Sequence, residues 1–231
     1  VARALAVAQQ TASALEAAHL KNIINRDIKA GNILVMDNDQ IKLADFGLAR
    51  VMDGMSSISQ PGQIIGTVFY MSPEQAIGDS KIDQRVDFYG LGITLFQGLT
   101  GRLPYTGRTP LQILQQHISA PIPSLKEYVP SIPPCVDEMV QKLMSKKPEQ
   151  RFATASEVLQ AITSCQTQLG IEPQQQPAWS KTPYMVLAQM WRWSKRFWQR
   201  NPTILKLRSS RPARWTALFG AIAMTTMLLV L

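Results

Sequence analysis

The chain has 231 residues, of which 45% are hydrophobic and 17% are charged. This apolar fraction is enough for a sizeable buried core and excludes a wholly disordered chain, while the length allows one large domain or two small ones. The net charge of +8 is unevenly distributed: residues 1–172 contain 15 basic and 16 acidic side chains, whereas residues 173–231 contain nine basic and no acidic ones. The first part is typical of a soluble globular domain, and the second of a segment held against an anionic surface.

The first predicted elements are a helix and a hairpin. Residues 1–20 contain no Gly or Pro, and their apolar side chains recur at helical spacing, which predicts an amphipathic helix with one buried face. That face consists of Leu5, Ala8, Ala12, Leu15 and Leu20. The runs "NILVM" and "QIKLAD", separated by "DND", then predict a β-hairpin. Residues 50–70 are rich in Gly, Ser and Gln and predict a long loop, which is uncommon unless it is functional.

Four more helices are predicted downstream of the loop. The apolar stretch from Asp83 to Thr100 predicts a buried helix that ends at Gly101. Three others are predicted near residues 109–118, 134–145 and 154–169. The expected fold class is therefore mainly α with a small β hairpin. Two cysteines, Cys135 and Cys165, show neither metal-ligand spacing nor a disulfide framework, which favours a reducing compartment.

The last third of the chain predicts a membrane-associated tail. Residues 169–183 form a Gln/Pro-rich linker, residues 184–214 are basic and rich in Trp, and residues 215–231 contain no charged side chain. We interpret them as a linker, a juxtamembrane segment and a transmembrane helix that is cut off early. A basic helix docked on the globular domain and an apolar core helix are the alternatives. Nucleic acid is not an expected partner, because the adjoining apolar run explains the basic charge through the positive-inside rule.

The stretch "NRDIKAGNILV" concentrates polar groups just before an apolar strand. Asp27, Lys29 and Asn32 lie within six residues of one another, and charged groups beside a buried strand cost free energy unless they are paired or used. The predicted hairpin brings Asn32 towards Asp45 of "ADFG". Two oxygen ligands beside a lysine suit Mg²⁺ and phosphate, and Asp27 is then free to accept a proton.

These residues carry a family resemblance. "NRDIKAGN" and "DFG" resemble the catalytic loop and the DFG segment of eukaryotic-type protein kinases, and "GTVFYMSPEQ" resembles the end of their activation segment. "DFYGLGITLFQGLTGRLPY" is similar to the central helix of the family, and "KKPEQRF" to its late arginine-bearing loop. These motifs are typical of bacterial Ser/Thr kinases, and the resemblance covers about residues 1–165. It implies a kinase-like C-terminal lobe over residues 1–168.

The resemblance implies a role for each matching residue, with ATP and Mg²⁺ as cofactors. Asp27 is the implied catalytic base, Lys29 steadies the transferred γ-phosphoryl group, and Asn32 and Asp45 hold Mg²⁺. The pairing of Lys29 with Thr67 is the one seen in Ser/Thr kinases rather than Tyr kinases. The structural residues implied are an ion pair between Glu74 and Arg151, and Asp87 as a cap on the catalytic-loop backbone. Arg26 implies phosphorylation of the activation loop, with Ser56, Ser57 and Ser59 as the main candidates and Thr67 as a weaker one.

The sequence also departs from the family pattern. Asn25 stands where His is usual and Ala30 where Pro is common, which predicts a tuned site rather than a dead one. The Gly-rich loop, the strand lysine and the helix glutamate of the N-terminal lobe are not in the sequence, so we expect a fragment that is inactive alone. The parent protein is expected to be a single-pass membrane kinase with its catalytic lobe in the cytoplasm. Its expected partners are ATP, protein substrates, membrane lipids and a second copy for autophosphorylation. The alternative is a membrane-tethered pseudokinase that acts as a binding module.

Overall fold

The computed structural model describes residues 1–36, 39–44 and 66–172. These ranges contain six α-helices and a two-stranded sheet, so this part of the chain is mainly α with a small β hairpin, as predicted. The helices and strands are α1 (Ala2–His19), β1 (Ile33–Val35), β2 (Ile41–Leu43), α2 (Pro73–Ala76), α3 (Arg85–Thr100), α4 (Pro110–Ser119), α5 (Pro134–Leu143) and α6 (Ala155–Gln168). Short 3₁₀ turns cover Ala30–Asn32, Leu125–Glu127 and Pro148–Gln150.

The hairpin is antiparallel and follows directly on the polar stretch singled out in the sequence. β1 pairs with β2 in the register Ile33↔Leu43, Leu34↔Lys42 and Val35↔Ile41. One further backbone hydrogen bond, 2.8 Å from the amide of Ala44 to the carbonyl of Asn32, continues the pairing past the strand ends. Asn32 is thereby fixed at the open end of the hairpin.

Helix α3 forms the centre of the core. Its sequence is apolar on every side, and a helix of this kind is stable only when it is surrounded by other elements. Phe88, Tyr89 and Phe96 are fully buried, and α1, α5 and α6 contribute the side chains around them. The helix ends at Gly101, which has φ +70° and whose amide donates to the carbonyl of Gln97, as expected for a left-handed helix cap.

A glycine lets α3 approach the polar stretch closely. A Cβ atom on Gly90 would lie 2.7 Å from the backbone oxygen of Ile28, which real Cβ atoms do not tolerate. The backbone of residues 25–32 therefore lies directly on α3. This contact positions the candidate site on the most deeply buried helix of the described residues.

Two sequence-based expectations are wrong. Leu20 was assigned to the buried face of α1 but is 81% exposed, because α1 ends at His19 and the chain turns away there. No disulfide framework was predicted, yet Cys135 and Cys165 form a disulfide with their Cα atoms 5.7 Å apart. The two residues are 30 positions apart, and only the packing of α5 beside α6 brings them together.

No helix within residues 1–36, 39–44 and 66–172 combines the length and apolar character needed to cross a membrane. The predicted linker, juxtamembrane segment and transmembrane helix begin at residue 169, and everything after residue 172 lies outside the described ranges. Of the predicted loop over residues 50–70 only residues 66–70 are described, and residues 66–68 of these are helical.

Candidate active site

The loop between α1 and β1 is held in place by one buried carboxylate. Asp87, in the first turn of α3, is fully buried. Its two oxygens accept hydrogen bonds from the amides of Asn25 (2.9 Å) and Arg26 (2.7 Å). Nε2 of His19, at the end of α1, lies 2.8 Å from the same carboxylate. Since unpaired buried carboxylates are costly, this set of partners fixes the loop against both helices.

Arg26 adopts a backbone conformation that needs such support. Its φ of +67° lies in the left-handed region, which is unfavourable for a side chain of this size. Its amide is held by Asp87, and its carbonyl accepts a 2.9 Å hydrogen bond from Nε2 of Gln75. Gln75 also closes a capping box with Ser72 at the start of α2. This box is readable in the sequence as Ser-x-x-Gln, but sequence reasoning missed it.

Four side chains meet at this turn. Asp27, Lys29 and Asn32 belong to the loop, and Thr67 comes from a separate segment of the chain. Nζ of Lys29 lies 2.7 Å from Oδ2 of Asp27 and 3.1 Å from Oγ1 of Thr67. Nδ2 of Asn32 donates to Oδ2 of Asp27 at 3.0 Å and to its backbone carbonyl at 2.8 Å. The side chains of Asp27 and Lys29 remain 22% and 21% exposed. The group is ordered by its own hydrogen bonds and yet is open to a reactant.

Asn25, which stands where the family usually has His, supports the backbone of the loop. The residue is buried, and its Oδ1 accepts a 3.1 Å hydrogen bond from the amide of Asp27. The side chain thus supports the loop backbone directly before the carboxylate, as the sequence argument expects of an amide. Its Nδ2 atom is buried without a partner in the described part of the chain.

A second ionic group lies beneath the site, between α2 and the loop before α6. Glu74 and Arg151, for which the sequence predicts an ion pair, form two hydrogen bonds of 2.6 and 2.8 Å. Arg151 also donates to the carbonyls of Ser145, Arg85 and Lys146, and its guanidinium lies 4.9 Å from the ring centre of Tyr89. Both charged side chains are almost completely buried, so this pair cannot meet a substrate.

The pair continues into a buried polar cluster that the sequence did not reveal. The hydroxyl of Tyr89 lies 2.8 Å from Nδ1 of His117, a residue on α4 that is fully buried. Burial lowers the pKa of His117 to about 4, with a further contribution from Lys146. Lys146 donates to the hydroxyl of Tyr105 and to the carbonyls of Gln116 and His117, and burial lowers its pKa to about 8. His117 is a packing residue within this cluster.

Several candidate residues lie outside the described ranges. Asp45, Ser56, Ser57 and Ser59 are among them, so their positions relative to Asp27 remain predictions. Within the described residues, no group of three or more His, Cys, Asp or Glu side chains could hold a metal ion. Asn32 nevertheless fits a Mg²⁺ site chemically, because its amide nitrogen is anchored on Asp27 and amide oxygens are ligands that Mg²⁺ accepts.

A helical lobe with a clamped Arg-Asp-x-Lys-x-x-Asn turn defines a protein-kinase type of site. A family model described as the protein kinase domain matches residues 2–162. The match covers well over half of the chain, and the chain belongs to the protein kinase domain family.

Bacterial serine/threonine-protein kinases are among the relatives of the chain. It is 40% identical over 158 residues to serine/threonine-protein kinase PknB of Mycobacterium tuberculosis, covering 68% of this chain and 25% of PknB. It is 39% identical over 155 residues to serine/threonine-protein kinase PrkC of Bacillus subtilis, covering 67% of this chain and 24% of PrkC. The chain therefore spans about a quarter of the length of these curated relatives.

Proposed function

We propose that the protein containing this chain is a serine/threonine protein kinase and that residues 1–168 are the C-terminal lobe of its catalytic domain. The observation that carries the proposal is the open hydrogen-bonded group of Asp27, Lys29, Asn32 and Thr67. The family membership and the names of the relatives support the same class of reaction. Because the chain covers only part of those relatives, the activity is proposed for the whole protein.

Each residue of the group has a task in phosphoryl transfer. Asp27 accepts the proton of the substrate hydroxyl, which makes the oxygen a better nucleophile. Lys29 bridges Asp27 and Thr67 and can neutralise charge on the transferred phosphoryl group, while Asn32 donates to the same carboxylate oxygen of Asp27 as Lys29 does. Catalysis of this kind depends mainly on positioning and charge neutralisation, and the clamped loop provides both.

ATP and Mg²⁺ are the cofactors that this proposal requires. Asn32 and Asp45 would hold Mg²⁺, and the metal ion supplies neutralisation of the phosphate charge when it is bound. The part of the site contributed by Asn32 fits this role. Asp45→Ala is expected to remove magnesium-dependent activity, and a variant that kept it would show that Asp45 is misassigned.

The decisive experiment replaces the proposed base. Asp27→Asn keeps the size and the hydrogen-bonding geometry of the side chain but removes its basicity, so phosphate transfer from labelled ATP to a protein substrate should fall by about 10²–10⁴-fold. The measurement requires the complete open reading frame. Asp39→Asn is the matched control, because it makes the same chemical change at an exposed residue. Asp39 has φ +55°, a backbone conformation that Asn also adopts, so this variant should leave the rate unchanged.

The same experiment distinguishes the enzyme from the pseudokinase alternative. A wild-type protein that binds ATP but transfers no phosphate would be a binding module, and Asp27→Asn would then change nothing. The presence of Asn25 where the family usually has His is the reason to keep the pseudokinase alternative. The hydrogen bond from the amide of Asp27 to Asn25 favours the enzyme, because the loop retains a support in front of the base.

We also propose that the activation loop is regulated by phosphate. Nε of Arg26 is buried and has no partner among the described residues, so an additional acceptor beside it would be stabilising. Ser56, Ser57 and Ser59 are the candidates for autophosphorylation, in which a second copy of the protein is the expected partner. Mass spectrometry of active protein that found no phosphate between Arg50 and Tyr70 would refute this part of the proposal.

The third part of the proposal is a membrane anchor formed by residues 184–231, which keeps residues 1–214 in the cytoplasm. The support comes from the sequence: nine basic and no acidic side chains precede or adjoin an uncharged run of 17 residues, 215–231. Such a run spans about 25 Å as a helix, close to the lower limit for crossing a bilayer. Fractionation with and without residues 181–231 tests it. Protein that stays soluble at physiological salt would exclude an anchor, and release by high salt alone would indicate a peripheral helix.

A further inference from the structure

The disulfide between Cys135 and Cys165 joins α5 to α6. Cys135 lies in the first turn of α5 and is partly exposed, whereas Cys165 lies near the end of α6 and is only 2% exposed. Their Cα separation of 5.7 Å is in the ordinary range for a disulfide. Residues 1–231 contain no other cysteine.

The bond lies on the weakly packed side of α6. Helix α6 packs mainly along α1, where it buries Val158 and Ile162 and where Gln166 donates a 3.2 Å hydrogen bond to Gln9. Its noncovalent contact with α5 is much smaller. The disulfide is therefore a main link between α5 and the C-terminal half of α6, in addition to the packing of α6 along α1.

We propose that Cys135 and Cys165 form a reversible redox site, a disulfide under oxidising conditions and two thiols under reducing ones, which controls how firmly the C-terminal half of α6 is attached to the lobe. Cys135 is the more exposed residue of the pair, so we expect oxidant and reductant to act on its sulfur first. In a reducing compartment the pair is held as two thiols, and an oxidant is then the signal.

The chemistry balances with a hydroperoxide as the oxidant. The Cys135 thiolate attacks hydrogen peroxide, the O–O bond breaks, and Cys135 sulfenic acid and hydroxide form. The Cys165 thiol then attacks the sulfenic sulfur, so that the S–S bond forms and water leaves. In the reverse direction one thiol of a dithiol reductant attacks the Cys135 sulfur, forms a mixed disulfide and releases the Cys165 thiol. The second thiol of the reductant then attacks the mixed disulfide, which releases the Cys135 thiol and leaves the reductant as a disulfide.

The consequence is a local change in stability at the end of the catalytic lobe. Closing a loop of this length restricts the unfolded chain and stabilises the connected state. Because α6 is the last helix of the described residues, the redox state determines how readily its C-terminal half opens, while the core around α3 is held by other contacts. The site thus acts on α6 and is distinct from the group around Asp27.

The test uses the purified full-length protein in three states: dithiol-reduced, treated with hydrogen peroxide, and reduced again. When the protein is denatured after trapping, peptide mapping should find a maleimide tag on both Cys135 and Cys165, on neither, and on both in turn. Amide hydrogen exchange across residues 158–168 should be at least about tenfold slower in the oxidised state, with little change in α3. Cys135→Ser should keep the fast exchange in all three states.

Three outcomes would overturn the proposal. Two thiols after peroxide treatment would mean that the bond does not form, and a bond that resists dithiol in the folded protein would mean a permanent crosslink. Equal exchange in both states would mean that the bond does not control α6. Because the chain also contains ten methionines, a peroxide effect that persists in Cys135→Ser would assign the change to methionine oxidation instead. Cys165→Ala, a second variant that removes the buried partner, should behave like Cys135→Ser.

Discussion

Two acidic residues, Asp27 and Glu74, each pair with a basic residue, but the two pairs are built in opposite ways. Asp27 and Lys29 are both about one-fifth exposed, and their further partners are the short side chains of Asn32 on the same loop and of Thr67 on a separate segment. Glu74 and Arg151 are nearly fully buried, 77 positions apart, and surrounded by backbone carbonyls that accept from the arginine. An ion pair alone therefore does not identify a reactive site. Two properties distinguish the pairs: how exposed their side chains are, and whether the carboxylate is held by a fixed bidentate partner.

The difference has a physical basis. A buried ion pair is stabilising only when all of its hydrogen-bonding groups are satisfied, and Arg151 meets this condition with Glu74 and three carbonyls. Such a pair has no capacity left for a substrate. Asp27 keeps contact with solvent, and a carboxylate of this kind can exchange partners during a reaction. We therefore expect mutations at the two sites to separate stability from activity.

The largest effect on stability is expected for Arg151→Met. The substitution leaves the Glu74 carboxylate and three carbonyls without their donor, and removing one partner of a buried pair costs about 3–5 kcal/mol of unfolding free energy. Urea unfolding of the purified protein measures this loss. Asp27→Asn is the opposite case and should change the unfolding free energy by less than about 1 kcal/mol.

The double variant Glu74→Leu/Arg151→Met sharpens this result. It removes the orphaned carboxylate, so part of the loss should be recovered, but the carbonyls of Ser145, Arg85 and Lys146 still lack a donor. If Arg151→Met cost as little as Asp27→Asn, the contrast between a structural and a functional pair would be wrong.

The second prediction concerns the pH dependence of the same buried region. The pKa of His117 is lowered from 6.5 to about 4 by burial, so the unfolded chain takes up a proton before the folded chain does as the pH falls. This group therefore contributes stability above pH 6.5 that is lost as the pH falls through the window from 6.5 to 4. Between pH 7 and pH 5 the loss from His117 is about 2 kcal/mol.

Replacement of the imidazole isolates that contribution. His117→Asn keeps a polar atom near the Tyr89 hydroxyl but cannot titrate, so its unfolding free energy should fall less between pH 7 and pH 5 than that of the wild type. Comparing the two slopes cancels the carboxylates that titrate in both proteins. Equal slopes would show that His117 is already protonated in the folded protein at pH 5.

The sequence predicted local features of the fold better than contacts between distant residues. Helical periodicity gave α1 and α4, and the apolar run gave α3 and its end at Gly101, because these signals lie within one element. The Cys135–Cys165 bond and the His117–Tyr89 contact were missed, since both join separate helices and neither has a spacing rule. For the site the kinase resemblance gave the residues and their implied roles.

What the resemblance did not give was the detailed support of the loop. His19 looked like an ordinary residue at a helix end, and its contact with Asp87 appears only when α1 and α3 are packed together. The role of Gln75 under Arg26 could have been suspected from the capping box, but its reach to the loop carbonyl depends on the fold. Asp45 and the three activation-loop serines stay predictions.

The last prediction concerns α3, the helix that links the two regions. Gly90→Ala places a methyl group where the backbone oxygen of Ile28 lies 2.7 Å away, and neither the helix nor the clamped loop can move freely. We expect a loss of about 1–3 kcal/mol of unfolding free energy from this overpacking. Since Ile28 adjoins Asp27, the phosphate-transfer rate should also fall, even at temperatures at which the variant remains folded.

Gly98→Ala, in the same helix, is the matched control. A Cβ atom there has no neighbour within 4 Å, so the variant should be neutral or more stable by about 0.5–1 kcal/mol, because alanine favours a helix more than glycine does. Both variants make the same chemical change to α3, so the difference between them measures the close approach alone. If Gly90→Ala retained the wild-type rate and stability, the loop that bears Asp27 would have to be adaptable, and the site would not depend on a rigid contact with the core.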